Sequence, residues 1–229
     1  MQILSFDVNN DTSVDAAVKA ASEVLQSGGT VVYPTDTAYG LGANALSEAA
    51  IEKIFRIKQR AKEKPLSIGV KNVAMAKKFA VISPSAEKFL REIWPGPITV
   101  ILHKRSMLPD ILTNGRPIGL RCSKNCFNKA IFRYINFPIT ATSANISGEA
   151  AIYDPYELLQ SFRRYPKSMP DLLLDAGPLP KILPSTIIDL TAPEPKILRV
   201  GPVNPEELLR VFRETAGTAV KNPPRNDSG

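Results

Sequence analysis

The stretch 14-VDAAVKAASEVLQSGGTVVYPT-35 decides the fold. Val14, Ala17, Val18, Ala21 and Leu25 recur at the spacing that lays one apolar stripe along a helix. Gly28 and Gly29 follow, the residue type that ends helices because it tolerates the left-handed conformation. TVVYPT is then β-branched and aromatic, which reads as a strand. A helix closed by glycine and fed into a strand is a unit of α/β architecture.

The alternation continues outward. Ser47 is placed to cap a helix with the stripe Ile51, Ile54 and Phe55. PLSIGV (65–70) reads as a strand and NVAMAKKFA (72–80) as a short helix. Ser83-Pro84 opens a helix carrying Phe89, Leu90 and Ile93. PITVILHK (97–104) and PIGLRCS (117–123) are strand-like, residues 126–135 helical, and FPITAT (137–142) a strand. Asp154-Pro155-Tyr156-Glu157 has the form of a capping box. DLLLDAG (171–177), STIIDLT (185–191) and PKILRV (195–200) are three late strands, the last two spaced to pair as a hairpin, and Asn204-Pro205 starts a final helix. The expected class is α/β, a twisted mixed parallel/antiparallel sheet flanked by helices, in one domain over residues 1–215. Residues 216–229 are expected to form a disordered tail.

At 229 residues, 44% hydrophobic and 22% charged, the chain has ordinary soluble globular composition. Its formal charge of +7 biases it toward anionic partners without saying which. Cys122 and Cys126 match neither a redox CxxC nor a zinc spacing and are expected to be inert thiols. The N-terminus lacks a basic-then-apolar signal pattern, and no apolar run approaches a membrane span, so no membrane association and a cytoplasmic location are expected.

Two features carry chemistry. In 54-IFRIKQRAKEKPLS-67, cations fall at every second position, Arg56, Lys58, Arg60, Lys62 and Lys64, up to Pro65. Lys58 takes a place in the helical stripe where an apolar residue is due, so either the helix ends there or a lysine is aimed inward. Beyond it, an extended segment would set Lys58, Arg60, Lys62 and Lys64 along one edge, suited to a triphosphate. On the pattern alone a solvated charged loop is the first reading of the row, ahead of an electrostatic RNA contact and of a nucleotide site. The second feature is a pair of polar clusters directly after strands: Thr35 and Thr37 in VVYPTDTAYGLGANA (31–45), and Thr142, Ser143 and Asn145 in ITATSANISG (139–148). Strand ends are where open α/β sheets place ligands, and Gly40 and Gly42 are expected to permit close backbone approach.

YPTDTAYGLGANA, Lys58-x-Arg60 with KPL, WPGPITVIL, IGLRC, TSANISG, PSTIIDLT and ILRVGP, in this order from about residue 14 to about residue 210, resemble the YrdC/TsaC-like family, the threonylcarbamoyl-adenylate synthases. The resemblance implies a fold with a deep basic cavity. It also implies conversion of L-threonine, bicarbonate and ATP to threonylcarbamoyl-adenylate and pyrophosphate, for use by downstream threonylcarbamoyl transferase proteins on the tRNA adenosine beside the anticodon. Carried over by position, Lys58, Arg60 and Lys64 would face the ATP phosphates, with Lys58 and Arg60 the candidate catalytic pair. Ser143 and Asn145 would stand nearby, with Arg199 and Pro117 completing the ATP site. Thr35, Thr37, Gly69, Arg121, the backbone at Ala141 and Ser185 match the threonine positions, with Arg121 the natural partner of a carboxylate because its planar fork can bind both oxygens.

Two departures stand out. Gly69 occupies a place beside the threonine where many members carry histidine, and Ala151 a place where a serine often contacts ATP. Both imply altered affinity.

No GxxxxGK[ST] loop is present, so side-chain cations must hold the phosphates. No resident nucleophile or histidine base is evident; His103, the single histidine, is expected at the surface, and Asp36 is expected to shape its loop. Mg²⁺ is expected with ATP, and neither a dedicated metal site nor a tightly bound organic cofactor is. The alternatives are a double-stranded RNA or tRNA-binding module without catalysis, and carbamoyl transfer of the kind found in larger hydrogenase-maturation proteins. Weak RNA binding is compatible with the synthase reading.

Overall fold

The computed structural model describes residues 1–217. The chain runs β1 (Gln2–Ser5), α1 (Asp11–Gln26), β2 (Thr30–Tyr33), β3 (Gly40–Ala43), α2 (Glu48–Ile57), β4 (Ile68–Gly69), α3 (Val73–Phe79), α4 (Pro84–Ile93), β5 (Ile98–Leu102), β6 (Ile118–Arg121), α5 (Cys126–Ile131), β7 (Ile139–Thr140), β8 (Thr142–Ser143), α6 (Pro155–Arg163), β9 (Leu172–Asp175), β10 (Thr186–Asp189), β11 (Lys196–Arg199) and α7 (Pro205–Ala216). The α/β class and the mixed strand directions are as expected. The strands form two sheets, however, in the orders β1-β9-β2-β3-β8 and β11-β10-β5-β6-β4-β7. The FPITAT segment divides between them: β7 pairs with β4, while β8 pairs with β3. Between these short strands the Ala141 N–H donates to the Ser67 carbonyl at 2.7 Å. The chain therefore crosses from one sheet to the other at the site described below.

Helix α1 lays Val14, Ala17, Val18, Ala21 and Leu25 against Val31, Leu172 and Leu174 of the first sheet, with Phe127 and Ile131 of α5 completing that core. Each such side chain removed from water stabilises the fold by about 1.5–3 kcal/mol before entropy is counted. The caps follow the sequence. Asn10, Ser47, Ser83, Asp154 and Asn204 each accept a first-turn N–H, and Gly28 (φ 77°) turns the chain out of α1. On the other core, α7 packs on α4 through Phe212, edge-on to Phe89 at 5.2 Å. β10 and β11 form the expected antiparallel pair. Helix α7 reaches Ala216 and Gly217 (φ 72°) caps it, two residues into the segment expected as tail. The rest of that segment, 218–229, lies outside the described residues.

β3 departs from the sequence reading. Gly40 and Gly42 sit on a fully buried strand paired with β2, and of the two only Gly40 reaches the cavity described below. Their lack of a side chain makes room for the Tyr33 ring, which crosses this strand. A Cβ on Gly42 would stand 2.8 Å from Tyr33 Cε1, and one on Gly40 3.0 Å from Cζ. The ring also stacks on Phe127 at 4.6 Å. No described helix is long and apolar enough to cross a membrane.

Candidate active site

A cavity of about 500 Å³ lies where the ends of both sheets meet. Of the expected residues, it gathers Thr35, Thr37, Arg60, Gly69, Arg121, Ala141, Ser143, Asn145, Ser185 and Arg199. Lys58, Lys64 and Pro117 are not in its lining.

The basic row explains this division. Lys58 is the C-cap of α2, and Gln59 takes the left-handed conformation at φ 49°. Gln59 N–H then donates to Arg56 O at 3.2 Å and Arg60 N–H to Phe55 O at 2.9 Å. This pair of bonds is the Schellman closure, which satisfies the last carbonyls of the helix and turns the chain sharply. The row is therefore not an extended edge. Lys62 turns outward to Glu52 at 3.0 Å, and Lys64 is exposed. Arg60 folds back, its Nε donating to Lys64 O at 3.2 Å and its Nη2 to Pro65 O at 2.9 Å, which leaves the other guanidinium donors for the cavity.

Both openings left by the sequence hold for Lys58, since the helix ends there and the side chain points inward. The residue is 2% exposed. Its Nζ donates to Ser143 O at 2.5 Å, Asn145 O at 2.7 Å and Asn145 Oδ1 at 3.2 Å, while its own carbonyl accepts from Ser147 N–H at 2.7 Å. Burial, with the Arg60 charge nearby, pushes the ammonium down to about 7. Three oxygens matched to three N–H donors favour the charged form. Lys58 thus clamps the loop that carries Ser143 and Asn145. Ser143 Oγ donates to Asn145 Oδ1, and Asn145 Nδ2 donates to Glu149 O at 2.6 Å, closing the loop on itself.

On the other wall, the Thr35 hydroxyl donates to Ala38 O at 2.6 Å and accepts from Thr37 N–H at 3.1 Å. Thr37 Oγ1 stands 3.1 Å from Thr35 Oγ1 and accepts from Arg121 Nη2 at 3.2 Å. Arg121, at the end of β6, also pairs with Asp36, whose carboxylate accepts from Ser123 Oγ at 2.8 Å and Lys124 N–H at 3.4 Å. Asp36 therefore shapes its loop by anchoring this arginine. Arg121 Nε is buried and has no hydrogen-bond partner, so one donor of its fork remains to be satisfied. Arg199 donates from Nε to Ser185 O at 3.0 Å and from Nη2 to Ser185 Oγ at 3.1 Å, and Ser185 Oγ lies 2.8 Å from Thr99 Oγ1. Burial lowers the pKa of both Arg60 and Arg199, with Arg121 adding to the effect at Arg199.

Three arginines from three distant segments thus face one space, with Glu149 the one carboxylate in its lining. Such an arrangement can hold a polyanion and a carboxylate together. The sequence reading did not select Ser67, Thr99, Asn128, Glu149 or Ile187 as site residues, although all line the cavity. Strand-interior positions such as Thr99 and Ile187 carry no local signal that would single them out. Ala151 and Gly69 do line it; a Cβ on Gly69 would meet Ile139 Cγ1 at 3.3 Å. His103 is exposed, as expected, 3.1 Å from Thr191 O. The cysteines are unpaired, with burial raising both thiols. No three His, Cys, Asp or Glu side chains gather as a metal site among the described residues.

Comparison with known proteins agrees with this geometry. The Sua5/YciO/YrdC family, described as telomere recombination, matches residues 23–201. A relative from Pyrococcus abyssi, named threonylcarbamoyl-AMP synthase, is 33% identical over 86% of this chain and 57% of its own length. The structure of P. abyssi Sua5 complexed with L-threonine superposes with a TM-score of 0.84 at 31% identity, covering 92% of this chain and 61% of that one. The crystal structure of E. coli YciO gives a TM-score of 0.76 at 27% identity, covering 89% of this chain and 96% of that one. The chain thus spans about three fifths of the Pyrococcus sequence and structure it matches and nearly all of the E. coli one. With the cavity built from the same segments that carry the sequence motifs, the chain belongs to the Sua5/YciO/YrdC family.

Proposed function

We propose that this protein is a threonylcarbamoyl-AMP synthase, making threonylcarbamoyl-adenylate and pyrophosphate from L-threonine, bicarbonate and ATP. The observation that carries the reading is the convergence of Arg60, Arg121 and Arg199 on one cavity of about 500 Å³, room for a nucleotide and an amino acid together. The name of the Pyrococcus relative and the L-threonine bound to P. abyssi Sua5 support it.

The threonine carboxylate meets the Arg121 guanidinium beside Thr37, and the triphosphate lies toward Arg60 and the Ser143–Asn145 loop. The threonine amine and bicarbonate combine to a carbamate with loss of water. A carbamate oxygen attacks the α-phosphorus, the bond to the β-phosphate oxygen breaks, and pyrophosphate leaves. The reactants supply their own nucleophile, so the protein aligns them and stabilises charge on the leaving group. Arg60 does so directly and Lys58 through the loop it clamps. Mg²⁺ accompanying ATP would supply neutralisation of the phosphate charge, beside Arg60. The product feeds threonylcarbamoyl transfer to tRNA by other proteins, in the cytoplasm.

Purified protein should release pyrophosphate from ATP only with threonine and bicarbonate both present. Release that ignores threonine would refute the synthase reading. RNA binding indifferent to ATP, with no pyrophosphate released, would favour the non-catalytic alternative.

A further inference from the structure

A second cavity, of about 350 Å³, shares Ser123 with the first and is otherwise separate. Val73, Trp94 and Pro95 give it an apolar floor, Cys122 and Ser123 form a wall, and Lys71, Arg91 and Lys129 stand around it with no aspartate or glutamate in the lining. Arg91 is paired with Glu87 at 2.6 Å, so its charge is already answered. Lys71 and Lys129 form no salt bridge among the described residues. The Ser123 hydroxyl is committed to Asp36. Burial, with Asp36 adding, pushes the Cys122 thiol up to about 11, so the wall carries no negative charge at neutral pH.

We propose that this second cavity is a binding site for a flat aromatic anion, its ring lying against Trp94 and Pro95 and its carboxylate, sulfonate or phosphate meeting Lys71 and Lys129. The volume is at the lower end of ligand pockets and fits two or three rings. An apolar floor supplies contact area and the unanswered cations supply orientation. Lysine ammonium groups are rotatable point charges without a fixed fork, so the site selects for charge and not for the shape of the acidic group.

Trp94 is the single tryptophan of the chain and lines this cavity, so energy transfer from it detects a probe bound here, and the lysine and Arg60 variants separate that from a probe bound elsewhere in the domain. The intact protein is titrated with 8-anilinonaphthalene-1-sulfonate while energy transfer from Trp94 to the probe is followed. Transfer should saturate. Its dissociation constant should rise at least about fivefold in Lys71→Glu/Lys129→Glu, and by a similar factor when the uncharged N-phenyl-1-naphthylamine replaces the sulfonate. Arg60→Ala should leave it unchanged. Absence of saturable transfer, equal affinity for the uncharged probe, indifference to the lysine changes, or loss with Arg60→Ala would each overturn the proposal. Both lysines are exposed. Should the double reversal fail to fold, Lys71→Ala and Lys129→Ala singly should each weaken the probe about twofold, and no weakening in either would count against the site.

Discussion

Lys58→Met separates two roles for the most deeply buried cation among the described residues. Methionine keeps much of the volume and removes the ammonium, leaving Asn145 O without a donor, while Ser143 O keeps the Asn145 N–H at 3.0 Å and Asn145 Oδ1 keeps the Ser143 hydroxyl. A buried acceptor deprived of its partner costs about 1–3 kcal/mol. One orphaned carbonyl at that cost and two lost hydrogen bonds at ~0.5–1.5 kcal/mol each therefore represent a gross loss of ~2–6 kcal/mol. Water entering from the cavity and relief of the buried charge offset much of this, because a desolvated ion is itself expensive. A net loss of ~1–3 kcal/mol, confined to the loop, is the expected result. Local opening should then become about 5- to 150-fold more frequent. Amide hydrogen exchange reads it directly. Ala144 N–H is bonded to Tyr39 O at 2.8 Å and Ser147 N–H to Lys58 O at 2.7 Å, and both should exchange faster by that factor, while β2 and β9 amides stay protected. Loss of ATP use alone would not discriminate, since a phosphate ligand and a loop clamp both predict it. Unchanged exchange at Ala144 and Ser147 together with weakened ATP binding would refute the clamp and restore Lys58 as a direct phosphate contact.

Arg60→Ala should weaken ATP binding about thirty- to a thousand-fold, from the ~2–4 kcal/mol of leaving a buried anion without its partner, whereas Arg121→Ala should chiefly raise the threonine requirement. Affinities for the two ligands measured separately by calorimetry check this, and equal damage to ATP binding in both variants would contradict the division of the cavity. Gly42→Ala drives a methyl to within 2.8 Å of Tyr33 Cε1 and should cost about 1–3 kcal/mol in urea unfolding; Gly42→Ala/Tyr33→Leu should recover part of it. The Lys58 ammonium is lowered from 10.5 to about 7 on folding. Between those two values the unfolded chain holds a proton that the folded chain has released, so this group makes stability rise with pH, by up to ~1.4 kcal/mol per pH unit. Unfolding at pH 6, 7.5 and 9 should show that slope above pH 7 in the wild type and its loss in Lys58→Met.

Much of the fold was legible because its signals are local. An apolar stripe, a side-chain cap or a β-branched run acts within a turn or two of its own position, so α1, α2, α4, α6 and α7 and the late hairpin follow from residues in order. The polar clusters at strand ends and the family motifs likewise named Thr37, Arg121, Asn145 and Ser185 before any of them had a neighbour in space. Tertiary structure decided the rest. Gly40 does line the cavity, but the need for glycine at both 40 and 42 comes from the Tyr33 ring, which only the strand pairing places over them. The division into two sheets depends on β7 pairing with β4 while β8, two residues on, pairs with β3, a choice no periodicity records. The alternating cations of 56–64 suggested an extended edge, because charge patterning alone cannot tell a strand from a turn. A left-handed Gln59 and two backbone bonds turned that row into a closure that sends Lys58 inward, Arg60 into the cavity and Lys62 and Lys64 outward. Which cation meets a ligand depends on distances between segments some 85 residues apart, such as Lys58 and Ser143. Those distances arise only when the long-range packing that brings the two segments together has formed.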